Sequence, residues 1–67
     1  MLMTDFASTV LHARRDKAIS QRRLAALVGV SHSYISHIEM GRRTPSLRTL
    51  ERIAEVLDLH VSLLPRE

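Results

Sequence analysis

Between Ser20 and Ser31 this sequence writes a helix start, a helix stop and a second helix start with almost no spacer. Ser20 is an N-cap residue, whose hydroxyl can accept a hydrogen bond from an orphan N–H of the first turn. Leu24, Ala25 and Val28 follow as one apolar stripe of a helix of about eight residues. The stripe stops at Gly29, the residue that takes a left-handed backbone at least cost. Ser31 then caps a second helix with Ile35 and Ile38 as its inward positions, and Gly41 ends it. Helices this short cannot be stable alone and must bury their stripes against neighbours. Ala25 is small enough to let the two cross closely, so the pattern prescribes a pair of helices joined through a tight turn.

The flanking sequence supplies the rest of a core. Thr4 is placed to cap a first helix, with Asp5 in its first turn, Phe6, Val10 and Ala13 at helical spacing, and Arg14, Arg15 and Lys17 at the negative end of its dipole. The loop Arg42-Arg43-Thr44-Pro45 leads to a fourth cap, Ser46, and a helix in which Leu47, Leu50, Ile53, Ala54 and Leu57 recur at spacings of three and four. Arg48, Glu51, Arg52 and Glu55 take the other side in mixed-sign pairs. After Leu57 the period changes: Leu57, Leu59, Val61 and Leu63 alternate with Asp58, His60 and Ser62 before Pro65. A strand is the preferred reading, with a short fifth helix as the alternative, because residues 57, 61 and 64 also sit at helical spacing. A single strand cannot satisfy its own backbone groups, and no other segment alternates, so its natural partner is the same strand of a second copy. The expected fold is all-α, four to five compact helices, with a short C-terminal β-strand pairing across a dimer through Leu57, Leu59, Val61 and Leu63.

Composition narrows the chemistry. At 67 residues with no cysteine, the chain is one domain with no disulfide, no thiolate metal site and no cysteine nucleophile. His32 and His37 are five positions apart, not the i, i+4 spacing of two ligands on one helix face, so no metal is expected. No serine has a histidine and an acid at a recognisable spacing and no glycine-rich phosphate loop occurs, so neither an enzyme nor a cofactor is expected. The absence of a long apolar run and of a signal-like N-terminus predicts a cytoplasmic protein with no membrane partner, and its size leaves no pocket for a small-molecule ligand. Charge is uneven. From Arg14 to Arg43 seven basic residues face two acids, a balance of 7 − 2 = +5, whereas the remainder carries three basic against five acidic, 3 − 5 = −2. A basic footprint of that kind suits a polyanion, most often nucleic acid.

These elements together resemble the phage repressor and Cro type of helix-turn-helix, the Xre family. The resemblance is carried by Ser20-Gln21, Leu24-Ala25, Gly29-Val30-Ser31, Ile35 with Ile38-Glu39, Gly41 and Pro45-Ser46-Leu47, and it spans roughly residues 6 to 57. It implies a helix-turn-helix DNA-binding domain over residues 1–57, with 58–67 left as a dimerisation segment. Setting Ile35 and Ile38 inward turns Ser33, Ser36, His37 and Met40 outward, with His32 at the N-terminal edge and Tyr34 on a flank. By resemblance His32, Ser33, Ser36 and His37 are the DNA base contacts, and Gln21, Arg22, Arg23, Tyr34, Arg42 and Arg43 the phosphate contacts. None of the outward side chains is Arg, Asn or Gln, so direct readout per half-site is modest, and dimer spacing and DNA shape must add specificity. Histidine readers also predict tighter binding at pH 6 than at pH 8. The family pairs an arginine at the end of its first helix with the glutamate of the third, which here implies a structural ion pair between Arg14 and Glu39.

The function implied is a sequence-specific transcriptional repressor that binds double-stranded DNA with a palindromic operator as a homodimer. The alternating C-terminal segment resembles the small HipB-like antitoxin repressors, which implies a toxin protein as a further partner. The alternatives are a solitary phage or plasmid repressor, a restriction-modification controller, or a protein-binding module acting mainly through a partner.

Overall fold

A computed structural model describes residues 3–59, with side chains from Phe6 onward. Four helices follow one another: α1 (Met3–Asp16), α2 (Gln21–Val28), α3 (His32–Glu39) and α4 (Leu47–Leu57), and no strand occurs among the described residues. Three serines start three of them. The hydroxyls of Ser20, Ser31 and Ser46 accept the backbone N–H of Arg23, Tyr34 and Thr49, each from an extended backbone that turns the chain into the helix. Thr4 does not cap α1, because the helix already runs from Met3 and Thr4 lies inside its first turn.

The turns between helices are closed by left-handed residues. Gly29, at φ 90°, sends its N–H and that of Val30 to the carbonyl of Ala25 at 2.8 and 3.0 Å, ending α2 and delivering the chain to Ser31. Gly41, at φ 76°, does the same after α3, where the N–H groups of Arg42 and Arg43 both reach the His37 carbonyl. The turn from α1 to α2 uses a residue with a Cβ: Ala18 sits at φ 58°. Asp58, at φ 57°, closes α4.

All four helices feed one aliphatic core. Val10 of α1, Leu24, Ala25 and Val28 of α2, Ile35 and Ile38 of α3, and Ile53 and Leu57 of α4 pack together, ringed by Phe6, Ala13, Ile19, Val30, Tyr34, Val56 and Leu59. Five of these side chains are fully shielded, and each removes about 1.5–3 kcal/mol of unfavourable apolar hydration. The stripe on α4 is narrower than its spacing suggests: Ile53, Ala54 and Leu57 are buried, Leu50 is half-buried and Leu47 is 55% exposed.

The first residue of the expected C-terminal alternation is helical. Leu57 is the last helical residue of α4 with its side chain in the chain's own core, which withdraws it from a strand shared with a second copy. Leu59 also faces that core, its N–H bonded to the Ala54 carbonyl at 2.8 Å. Val61 and Leu63, and with them the choice between strand and fifth helix, lie outside the described residues.

Candidate nucleic-acid interface

The turn at Gly29 brings the N-termini of α2 and α3 together, and a polar chain runs through that junction. The Arg14 guanidinium, at the end of α1, donates from Nε to Glu39 Oε2 at 2.7 Å and from Nη2 to Oε1 at 3.1 Å, so the pair is bidentate. The two side chains are only 11% and 3% exposed, and a third N–H of Arg14 caps the Ile19 carbonyl at 2.9 Å. Three of its five N–H groups are thereby met by protein acceptors. The pair ties the end of α3 to the end of α1 and to the loop that opens α2.

Gln21 extends the chain outward. Its amide nitrogen donates to Glu39 Oε1 at 2.8 Å, and its amide oxygen lies 3.0 Å from His32 Nε2. Both residues open a helix, so the contact holds the first turn of α2 against the first turn of α3, where unpaired backbone N–H groups and both helix dipoles favour an anion. His32 and Ser33 are exposed on α3; Tyr34, Ser36 and His37 are half-buried. Ser33 Oγ lies 3.3 Å from the capping hydroxyl of Ser31.

Basic side chains flank this junction. Arg22 and Arg23 stand exposed in the first turn of α2, which holds no acidic residue to offset them. Arg42 and Arg43 stand exposed in the loop after α3, and the Arg43 guanidinium sits over the Tyr34 ring at 5.0 Å, a cation–π contact that ties the loop to α3. Of the residues expected at the interface, the structure joins Gln21 to His32 and Tyr34 to Arg43. It shows no such link for Ser36 and His37.

Two long-range bonds were not legible in the sequence. Arg52, read as one charge in a surface pattern, sends Nε from α4 to the Val28 carbonyl at 2.8 Å and so caps the C-terminus of α2. Lys17 reaches Asp58 at 2.8 Å, and that hydrogen bond and charge hold the Asp58 carboxyl below its ordinary value of 3.8. Both residues sit at sequence positions with ordinary surface spacing, and only the packing of α4 against α1 and α2 brings them to their partners.

A family model described as helix-turn-helix matches residues 11–64, most of the chain. The chain belongs to the helix-turn-helix family. It is of the phage repressor and Cro type, a family of DNA-binding regulators without enzyme chemistry. It is 41% identical over 51 residues to the ImmF control region 10 kDa protein of Bacillus phage phi105, covering 76% of this chain and 57% of that protein. Against the immunity repressor protein of the same phage it is 39% identical over 54 residues, covering 81% and 38% respectively. The chain thus spans little more than half of the first relative and less of the second. Among solved structures, the restriction-modification controller protein C.AhdI from Aeromonas hydrophila superposes with a TM-score of 0.81 at 33% identity, over 87% of this chain and 84% of that one. Within this helix-turn-helix domain, no group of His, Asp and Glu side chains among the described residues could hold a metal ion, and no described helix is long and apolar enough to cross a membrane.

Proposed function

We propose that this chain is a sequence-specific transcriptional repressor that sits on a two-fold symmetric DNA site as a homodimer, with α3 in the major groove. The observation that carries this reading is the junction of α2 and α3, where His32 and Ser33 are exposed and His32 meets Gln21, with Arg22 and Arg23 exposed in the first turn of α2 and Arg42 and Arg43 exposed in the loop after α3. Phosphates are then held by the four arginines, by Gln21 and by the helix N-termini, while His32, Ser33, Ser36 and His37 face base edges. Dimerisation falls to Val61 and Leu63, since Leu57 lies in the core and Leu59 packs against it. The names of the matched phage and restriction-modification proteins support a stand-alone controller. The antitoxin reading rests on the alternating C-terminal segment, and an adjacent toxin gene is what would favour it.

The test is binding of the full chain to DNA from upstream of its own gene and to scrambled DNA, over a salt series, with sedimentation equilibrium alongside. A repressor binds its site tighter than the scramble, with log affinity falling by about 0.9 per neutralised phosphate against log salt. Equal affinity for both DNAs would instead favour a module that works through a protein partner. A dimer that a Val61→Lys, Leu63→Lys variant reduces to monomer places the interface in the C-terminal segment; an unchanged dimer moves it to the helices.

A further inference from the structure

Sulfur is scarce in this chain: it has three methionines and no cysteine, and Met40 is the one methionine among the described side chains. Met40 is 55% exposed and caps the C-terminus of α3, its N–H bonded to the Ser36 carbonyl at 3.0 Å. The backbone after it is pinned too, with the Gly41 N–H on the Ile38 carbonyl and those of Arg42 and Arg43 on the His37 carbonyl. At about 100° per residue Met40 falls between Ser36 and His37 around the helix, opposite the buried Ile35 and Ile38. It therefore places an oxidisable side chain on the face that the DNA-binding reading turns toward DNA. Two exposed arginines assigned to phosphate follow within three residues.

We propose that Met40 is a reversible oxidation site, and that one oxygen atom taken from hydrogen peroxide weakens the hold of this domain on DNA. A lone pair of Sδ attacks one peroxide oxygen, and the S–O bond forms as the O–O bond breaks. The departing hydroxide takes the proton of the transferred hydroxyl and leaves as water, so sulfur is oxidised by two electrons to the sulfoxide and the peroxide is reduced. The nearly apolar tip of the side chain is thereby replaced by an oxygen that only accepts hydrogen bonds and carries partial negative charge. Facing a phosphate, that oxygen repels it; turned to the loop, it takes a guanidinium N–H of Arg42 or Arg43 that a phosphate would otherwise use. The fold has little at stake, because Met40 is not part of the core. The inference rests on the DNA-binding reading above.

The experiment treats the full chain with hydrogen peroxide and follows the gain of oxygen at each methionine by peptide mass spectrometry. Affinity for DNA from upstream of its own gene is measured before and after, with Met40→Leu in parallel. Oxidation of the unaltered chain is expected to lower that affinity by roughly 3- to 10-fold, the worth of one hydrogen bond, at an unchanged melting temperature. Methionine sulfoxide reductases for both sulfoxide epimers, with a thiol reductant, should restore it. Met40→Leu keeps Met1 and Met3 and is expected to show the same affinity before and after peroxide. An unchanged affinity once Met40 is oxidised, an equal loss in Met40→Leu, or a loss that accompanies unfolding or resists the reductases overturns the proposal while leaving the repressor reading intact. So does a Met40 that stays unoxidised while Met1 and Met3 react. An untreated chain that does not prefer upstream DNA to scrambled DNA overturns both.

Discussion

Two basic side chains leave the same end of α1, one turn apart, and each meets a carboxylate brought from far along the chain. Arg14 meets Glu39 with both partners nearly sealed from water, two parallel bonds and a third to the Ile19 carbonyl. Lys17 meets Asp58 through one bond, with the side chains 37% and 80% exposed. The distances hardly differ, at 2.7 and 2.8 Å, so distance says little about what each pair does. Solvent decides it. The buried pair cannot exchange its partner for water and so fixes the relative placement of α1 and α3; the exposed pair can, and is screened.

The strongest way to break this comparison is to remove one partner of the buried pair. Arg14→Ala strands the Glu39 carboxylate, and urea denaturation should show a loss on the order of 3–5 kcal/mol. A midpoint equal to that of the unaltered chain would defeat the idea that burial makes the difference. Replacing both partners by apolar residues, Arg14→Met with Glu39→Leu, strands no charge and should recover most of that loss. The same double variant frees the Gln21 amide, so its DNA affinity should remain impaired even where its stability returns. The two readouts part only if the pair positions the reading helix as well as holding the fold.

A middle case lies between the two pairs. Arg52 is an exposed residue, yet its Nε caps the Val28 carbonyl at the end of α2, a bond between a full charge and a helix terminus. Arg52→Ala should cost about 1 kcal/mol in the same denaturation measurement. Arg52→Gln should recover part of the loss if the hydrogen bond matters apart from the charge. A loss as large as that of Arg14→Ala would show that exposure is a poor guide to such bonds in this domain.

What could be read from the sequence follows the same division between local and distant causes. Ser20, Ser31 and Ser46 act on N–H groups three residues ahead, and Gly29 and Gly41 on carbonyls just behind, so each announces its role within one turn of chain. Arg14 with Glu39 was accessible only through resemblance to a family, because nothing local links positions that distant. The contact of Gln21 with Glu39 and His32, and those of Arg52 and Lys17, depend on how helices cross, which periodicity does not encode. Leu57 misled for a related reason: the last residue of a helical stripe is also the first of an alternating one, and Asp58 in the left-handed region is what separates them. Ala18 gave no signal at all, since alanine ordinarily favours helix and here closes one.

That corner offers a smaller test with the opposite sign. Ala18 holds φ 58° with a Cβ that L-residues avoid there, between the ion-paired end of α1 and the first turn of α2. Ala18→Gly relieves that strain but adds freedom to the unfolded chain, so a net stabilisation of roughly 0.5–1 kcal/mol is expected. A destabilised variant would show that the turn is held by something other than its backbone angle.

The smallest effect belongs to the exposed pair and is best seen through pH. Lys17 lowers the Asp58 pKa by hydrogen bond and charge, against a small opposing effect of desolvation. A carboxyl whose folded pKa is depressed contributes stability above its unfolded pKa and loses it as pH falls through the folded one, so the contribution is present above about 3.8 and disappears below that value. Asp58→Asn removes the charge and keeps a side chain that tolerates the left-handed backbone. The variant should melt slightly below the unaltered chain at pH 7, with the gap closing as the pH is brought under 3.8 and narrowing also in high salt. A gap that persists in acid would mean that Asp58 acts through its cap on α4 rather than through Lys17, and a gap as wide as that of Arg14→Ala would erase the contrast between the two pairs.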